Sequence, residues 1–227
     1  MIVSVHQPQF LPWLGYFDKI HQSDCFVILD TVQFKKNEFQ NRNKLKTPQG
    51  PKWLTVPVSY RFPMRIDEVP INNQSNWRHK HTQSVLANYG KSPFFENSRN
   101  VLAEMYDREW ERLTDLNTWC VTRLSEVIGI ETPFRYARDF TLPDEPTGRL
   151  VQLCVDLGAT TYLSGAGGRG YLDTEPFEKA GIEVVYQEYA HPVYAQQHGD
   201  FAPYMSVVDL LMNYGPESLA ILTGQAE

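Results

Sequence analysis

Apolar and polar positions change period three times within the first thirty residues. Residues 1–5, MIVSV, form a short β-branched run that reads as a buried strand. His6-Gln7 ends it, and Pro8 and Pro12 then forbid regular structure. Over residues 16–23 the spacing becomes helical, with Tyr16, Phe17 and Ile20 sharing an apolar face. Asp24 closes that helix, and residues 26–29, FVIL, are a second buried run ending at Asp30. Strand, loop, helix, strand is a βαβ unit, and such units bind ligands at the carboxyl ends of their strands. His6, Gln7 and Asp30 are therefore expected on one rim of a parallel sheet.

Residues 31–43 are polar and aromatic without a clear period, and connections this long are usually functional or mobile. Residues 53–58 read as a third strand, with Pro57 placing it at an edge or ending its pairing, and residues 65–71 as a short fourth. Asn76 is expected to cap a helix over residues 77–88. His79 and His81 stand two apart on it, so they point to nearly opposite sides and cannot share a metal. His81, on the side of Trp77 and Val85, is the one expected to face a site. Helices follow over residues 95–106 and 109–128, the latter with a core-facing stripe and a stop at Gly129.

After a turn-rich stretch at residues 143–148, an α/β rhythm resumes: helix 149–157, strand 160–163, helix 174–180, strand 182–186, and a last helix over 206–213. The expected fold is α/β, a central mainly parallel sheet of nucleotidyltransferase or Rossmann-like type with a helical insertion. It is organised as one domain over residues 1–227, the insertion at about 77–128 and a C-terminal α/β segment at about 146–227. A separable C-terminal domain beginning near Pro146 is the alternative.

Composition adds limits. Hydrophobic residues make up 42% and charged residues 21%, as in ordinary globular proteins. No apolar run reaches the roughly 20 residues of a membrane helix and no signal peptide is evident, so a cytoplasmic protein without membrane insertion is expected. Cys25, Cys120 and Cys154 are widely spaced and odd in number, which reads as reduced packing residues. Net charge is −6, against nucleic-acid binding. One segment departs from it: Lys35, Lys36, Arg42, Lys44, Lys46 and Lys52 face only Glu38. That suits a small anionic ligand, or simply a solvated charged loop.

The candidate chemistry is distributed. Gln33, Gln40, Asn41, Arg42 and Asn43 offer donors, acceptors and a planar cation to a ligand carrying hydroxyls and a phosphate or carboxylate, unless the asparagines only turn the backbone. Gly165, Gly167 and Gly170 satisfy G-x-G-x-x-G after a strand, but late in the chain and with Pro176 close behind. With Ser164 and Arg169 that loop could hold a phosphate on its amides, or could be a tight turn. No nucleophile elbow, zinc-protease helix or phosphate-binding P-loop motif occurs, so no metal or cofactor is expected and chemistry would be acid/base or positional.

HQPQFLPWLGYFDKI, SDCFVILDTVQFKKNEFQNRN, WLTVPV, YLSGAGGRGYL and the tail from Tyr194 together resemble the WbqC-like protein family, nearly end to end. That resemblance implies work in bacterial O-antigen or other surface-polysaccharide (lipopolysaccharide) biosynthesis: acyl or aminoacyl transfer from an acyl-carrier-protein thioester to a nucleotide-linked amino sugar. The partners it implies are a sugar nucleotide and an acyl carrier protein. In this reading His6 or Asp30 is the base, and Arg42, Arg169 and the glycine-loop amides hold diphosphate or phosphopantetheine. Trp13, Tyr16 and Phe34 pack on the base or sugar, with Gln7, Gln33, Lys36, Asn41, Asn43, His81 and Ser164 as further contacts. A non-catalytic sugar-nucleotide or carrier-protein binder is the alternative. The opening is also distantly similar to the nucleotidyltransferase superfamily, with Trp13 and Tyr16 at the two histidine positions of its H-x-G-H motif. Neither can be a cation, so a divergent nucleotidyltransferase is the second alternative.

Overall fold

A computed structural model describes residues 1–225. The first strand, β1 (Ile2–His6), is followed by helix α1 (Leu14–His21) and strand β2 (Cys25–Ile28). Further along come β5 (Phe134–Tyr136), α5 (Pro146–Leu157), β6 (Thr161–Ser164), α6 (Glu175–Lys179) and β7 (Glu183–Tyr186), numbered with the intervening elements counted below. Among the described residues the main sheet is five-stranded and parallel, in the order β5-β2-β1-β6-β7. From β1 the chain steps outward through β2 to β5, then returns to β6 on the other side of β1. The strand order thus reverses between β1 and β6, the place where open α/β sheets form a crevice at their carboxyl ends.

Strand alternation sorts side chains to two cores. Val3, Val5, Cys25 and Val27 pack with Leu153 and Cys154 of α5 and Phe177 of α6. On the opposite face Phe26 and Ile28 join Phe17 and Ile20 of α1 in the larger core. Ser4 pairs with Phe26 and His6 with Ile28, so both point to the α1 side. All three cysteines are buried free thiols.

The large core is closed by elements between β2 and β5 and after β7. Strands β3 (Arg42–Thr47) and β4 (Gly50–Thr55) form a separate antiparallel hairpin, turning at Gly50 with φ +97°. Helices α2 (Trp77–Tyr89), α3 (Phe95–Asp107) and α4 (Leu113–Ile128) form the expected helical insertion, and α4 stops at Gly129 in the left-handed region. Helices α7 (Val207–Tyr214) and α8 (Ser218–Leu222) complete it.

Several local expectations need correction. Residues 53–58 do not extend the main sheet; their first part is β4, paired only with β3. Residues 65–71 hold a 3-10 turn (Ile66–Glu68) and isolated bridges instead of a strand. The fourth helix starts at Leu113 and not near residue 109, because Arg112 is extended. The fifth starts earlier than expected, at Pro146, since the Glu145 carboxylate caps the Thr147 and Gly148 amides. β5 and α8 had no sequence signal, being too short to show a period. β6 and β7 hydrogen-bond into the same sheet as β1, so the C-terminal segment shares its framework.

Candidate functional site

At the reversal between β1 and β6 lies a cavity of about 340 Å³. β1 supplies His6, and the loop after β6 supplies backbone from Gly165 to Gly167. Trp13, Gly15 and Tyr16 come from the start of α1 and Lys19 from its last turn, with Gln187, Tyr189 and Tyr204 from the irregular segment after β7. A wider basin of about 570 Å³ lies between β4 and α2. Converging buried titratable groups at a sheet reversal are the stronger mark of a site than volume alone.

His6 Nδ1 lies 2.9 Å from the Gln7 carbonyl oxygen. A carbonyl can only accept, so Nδ1 carries the proton in the neutral ring and Nε2 keeps its lone pair. Burial, and then the charge of Lys19, push this imidazole down to about 4. The same carbonyl accepts from the Tyr16 hydroxyl at 3.1 Å, and the Tyr16 ring meets His6 edge-on with centroids 4.8 Å apart. One backbone oxygen thus fixes both side chains.

Lys19 is 3% exposed. It sits one helical turn beyond Gly15, and helix side chains lean toward the N-terminus, so its ammonium is carried back toward the cavity. There Nζ donates to the Val5 carbonyl at 3.0 Å. No carboxylate pairs with it among the described residues. Burial lowers its pKa to about 7. The neighbouring Asp18 accepts from Gln22 at 2.7 Å and Gln187 at 2.6 Å, both at Oδ2. Gln187 also donates to the Gly15 carbonyl at 2.9 Å, which ties α1 to the end of β7.

The aromatic wall is built around Trp13, whose ring centroid lies 5.7 Å from Tyr189, 5.4 Å from Tyr204 and 6.3 Å from His191. Across the cavity, Gly165 and Gly167 have open space where a side chain would project. Gly168 is the sterically required member, since its β-carbon would strike the Ser164 hydroxyl. The loop forms a 3-10 turn, Ala166–Gly170, and does not open a long helix as a dinucleotide fingerprint would.

Of the residues singled out from sequence, His6, Trp13, Tyr16, Gly165 and Gly167 line this cavity. Ser164 is buried beneath it, its hydroxyl donating to Gly165 O. The rest lie elsewhere. Asp30 shares the carboxyl rim but is fully buried away from His6, its Oδ2 accepting from Thr114 at 2.8 Å and 3.5 Å from Arg138. Gln7 turns its amide to Gln40 and borders a smaller cleft. Phe34 is core, edge-on to Tyr60. Asn41 donates to Val56 O and Asn43 to Leu11 O, so both serve the backbone. Arg42 stacks 4.1 Å above the Trp53 ring. Gln33 and Lys36 are exposed, and Arg169 pairs with Glu188 at the surface. His81 is buried between Thr55 O and the Tyr106 hydroxyl, at the 570 Å³ basin.

Lys19, Gln187, Tyr189 and Tyr204 escaped the sequence reading. For Lys19 a signal existed: Gly15 and Lys19 stand at i, i+4 on a helix packed against its preceding strand. The other three lie in a segment without periodicity.

Set against known proteins, residues 7–221 match the WbqC-like protein family. A similar relative is the uncharacterized protein Rv1507c of Mycobacterium tuberculosis, 36% identical over 220 residues that cover 95% of each chain. No solved structure matches the chain.

Proposed function

Because the chain belongs to the WbqC-like protein family, we propose that it is a transferase of surface-polysaccharide biosynthesis, moving an acyl or aminoacyl group from a carrier-bound thioester to the amine of a nucleotide-linked amino sugar. The observation that carries this reading is His6: a neutral imidazole at a cavity at the sheet's reversal, with Nδ1 occupied and Nε2 free to accept.

Amine attack on a thioester needs a base but no enzyme nucleophile. Attack forms the C–N bond and leaves a positively charged nitrogen on the tetrahedral centre, which is a strong acid. Nε2 can take that proton even with its basicity lowered. Collapse breaks the C–S bond, and the imidazolium returns the proton to the departing thiolate. The positive end of α1 and the Gly165–Gly167 backbone suit an anionic group of the substrate. Trp13, Tyr189 and Tyr204 suit the face of a sugar ring.

The test is product formation from an amino-sugar nucleotide and an acyl-carrier thioester. His6→Ala is expected to lower turnover by roughly 10²–10⁴-fold. Full turnover in a folded His6→Ala protein would end the proposal. A second reading is a non-catalytic binder of the same ligand, favoured by one observation: the Asp30 carboxylate is not turned to His6, so no acid orients the imidazole. Binding of the sugar nucleotide without turnover in the wild type would select that reading.

A further inference from the structure

We propose that Lys19 is the anion anchor of this cavity, its ammonium taking an oxygen of a phosphate group on the substrate. The inference rests on the reading that the cavity is the substrate site, and it adds a residue that no sequence motif marks.

A lysine that is 3% exposed is unusual, and one without an acidic partner more so. Nζ has three protons to donate, and among the described residues it meets one acceptor, the Val5 carbonyl. A buried charge left this way costs several kcal/mol unless something else compensates. Among the described residues no carboxylate pairs with it. Asp18 accepts from Gln22 and Gln187 at Oδ2 and forms no ion pair with Lys19. The His6 imidazole is neutral and presents its Nδ1 proton to Gln7. Tyr16 donates to Gln7, and its hydroxyl is pushed far upward by burial, so it supplies no phenolate. Lys19 lines a cavity through which an external acceptor can arrive, and an anion there would hold the amine in its protonated form.

Two features suit a phosphate. α1 is eight residues long and begins at this cavity, so its positive end adds to the field of the ammonium. Gly165 and Gly167 carry no side chain into the open space above them, which lets a tetrahedral group approach the backbone.

The experiment is calorimetric titration of the full chain with inorganic pyrophosphate and orthophosphate in one arm and acetate in the other. Wild type is expected to bind the phosphates and not acetate, with Lys19→Met weakening them roughly 10- to 100-fold, the worth of one charge-assisted hydrogen bond. Lys19→Arg should restore part of that affinity. Asp30→Asn, which does not border the cavity, should bind phosphates as wild type does, and turnover of His6→Ala is measured apart from binding, so failure of the catalytic reading and failure of the anchor are told apart. Equal affinity of wild type and Lys19→Met, preference for acetate, or no phosphate binding by wild type would each overturn the anchor. Should Lys19→Met fail to fold, a structure of the wild type with pyrophosphate decides. An anion within hydrogen-bond reach of Nζ supports the proposal, and its absence there refutes it.

Discussion

A β-carbon placed on Gly15 would lie 2.2 Å from the Trp13 indole. The ring is folded back across the first turn of α1, and only glycine leaves room for it. Gly15→Ala should therefore push the indole off the helix and open the aromatic wall, at a cost of about 1–3 kcal/mol from overpacking. A lowered Tm together with altered tryptophan fluorescence would establish the displacement; an unchanged emission spectrum would show that the ring is not held there.

Asp30 offers a second test, because it and His6 were equal candidates for the base. Its carboxylate is sequestered by Thr114, with Arg138 at 3.5 Å, and does not border the cavity. Asp30→Asn should keep group transfer within a few-fold of wild type while His6→Ala abolishes most of it. A loss in Asp30→Asn as large as that in His6→Ala would return the carboxylate to the mechanism.

Acid should weaken the fold through its buried imidazoles. Burial lowers both His6 and His81 from 6.5 to about 4. The unfolded chain then takes up protons first as pH drops, so this stability is intact above about 6.5 and drains away toward 4. For His81, 5% exposed, the contribution is at most about 3 kcal/mol. Urea denaturation across that window should show the decline, and His81→Gln should flatten it. A His81→Gln curve as steep as wild type would assign the acid sensitivity elsewhere.

The glycine loop makes a coupled prediction. A β-carbon on Gly168 would lie 2.2 Å from Ser164 Oγ and 3.4 Å from the Tyr186 ring. Gly168→Ala should cost about 1–3 kcal/mol, and adding Ser164→Ala should recover most of it because the hydroxyl is the obstructing atom. Strict additivity of the two changes would locate the clash with Tyr186 instead.

What could be read from sequence was local. The βαβ opening, the helical insertion and the rim position of His6 follow from short-range period and from prolines. Trp13 and Tyr16 were reachable because aromatics beside a strand end have few other duties. The asparagines misled because their amides suit a ligand and a backbone equally; Asn43 reaches the Leu11 carbonyl from a hairpin no period announced. Lys19 was passed over because a lysine in a short amphipathic helix ordinarily reaches water. The cavity it lines is completed only by Gly165–Gly167 and residues 187–204, and that juxtaposition is long-range.

This long-range closure bears on how the protein comes into being on the ribosome. β1 gains β2 soon after it is made, but its other edge waits for β6, which begins at Thr161. Until then the nascent chain displays an unpaired, β-branched strand edge, the kind that invites intermolecular pairing. A chain halted before β6 would carry all of α1 and none of the glycine loop that faces it across the cavity.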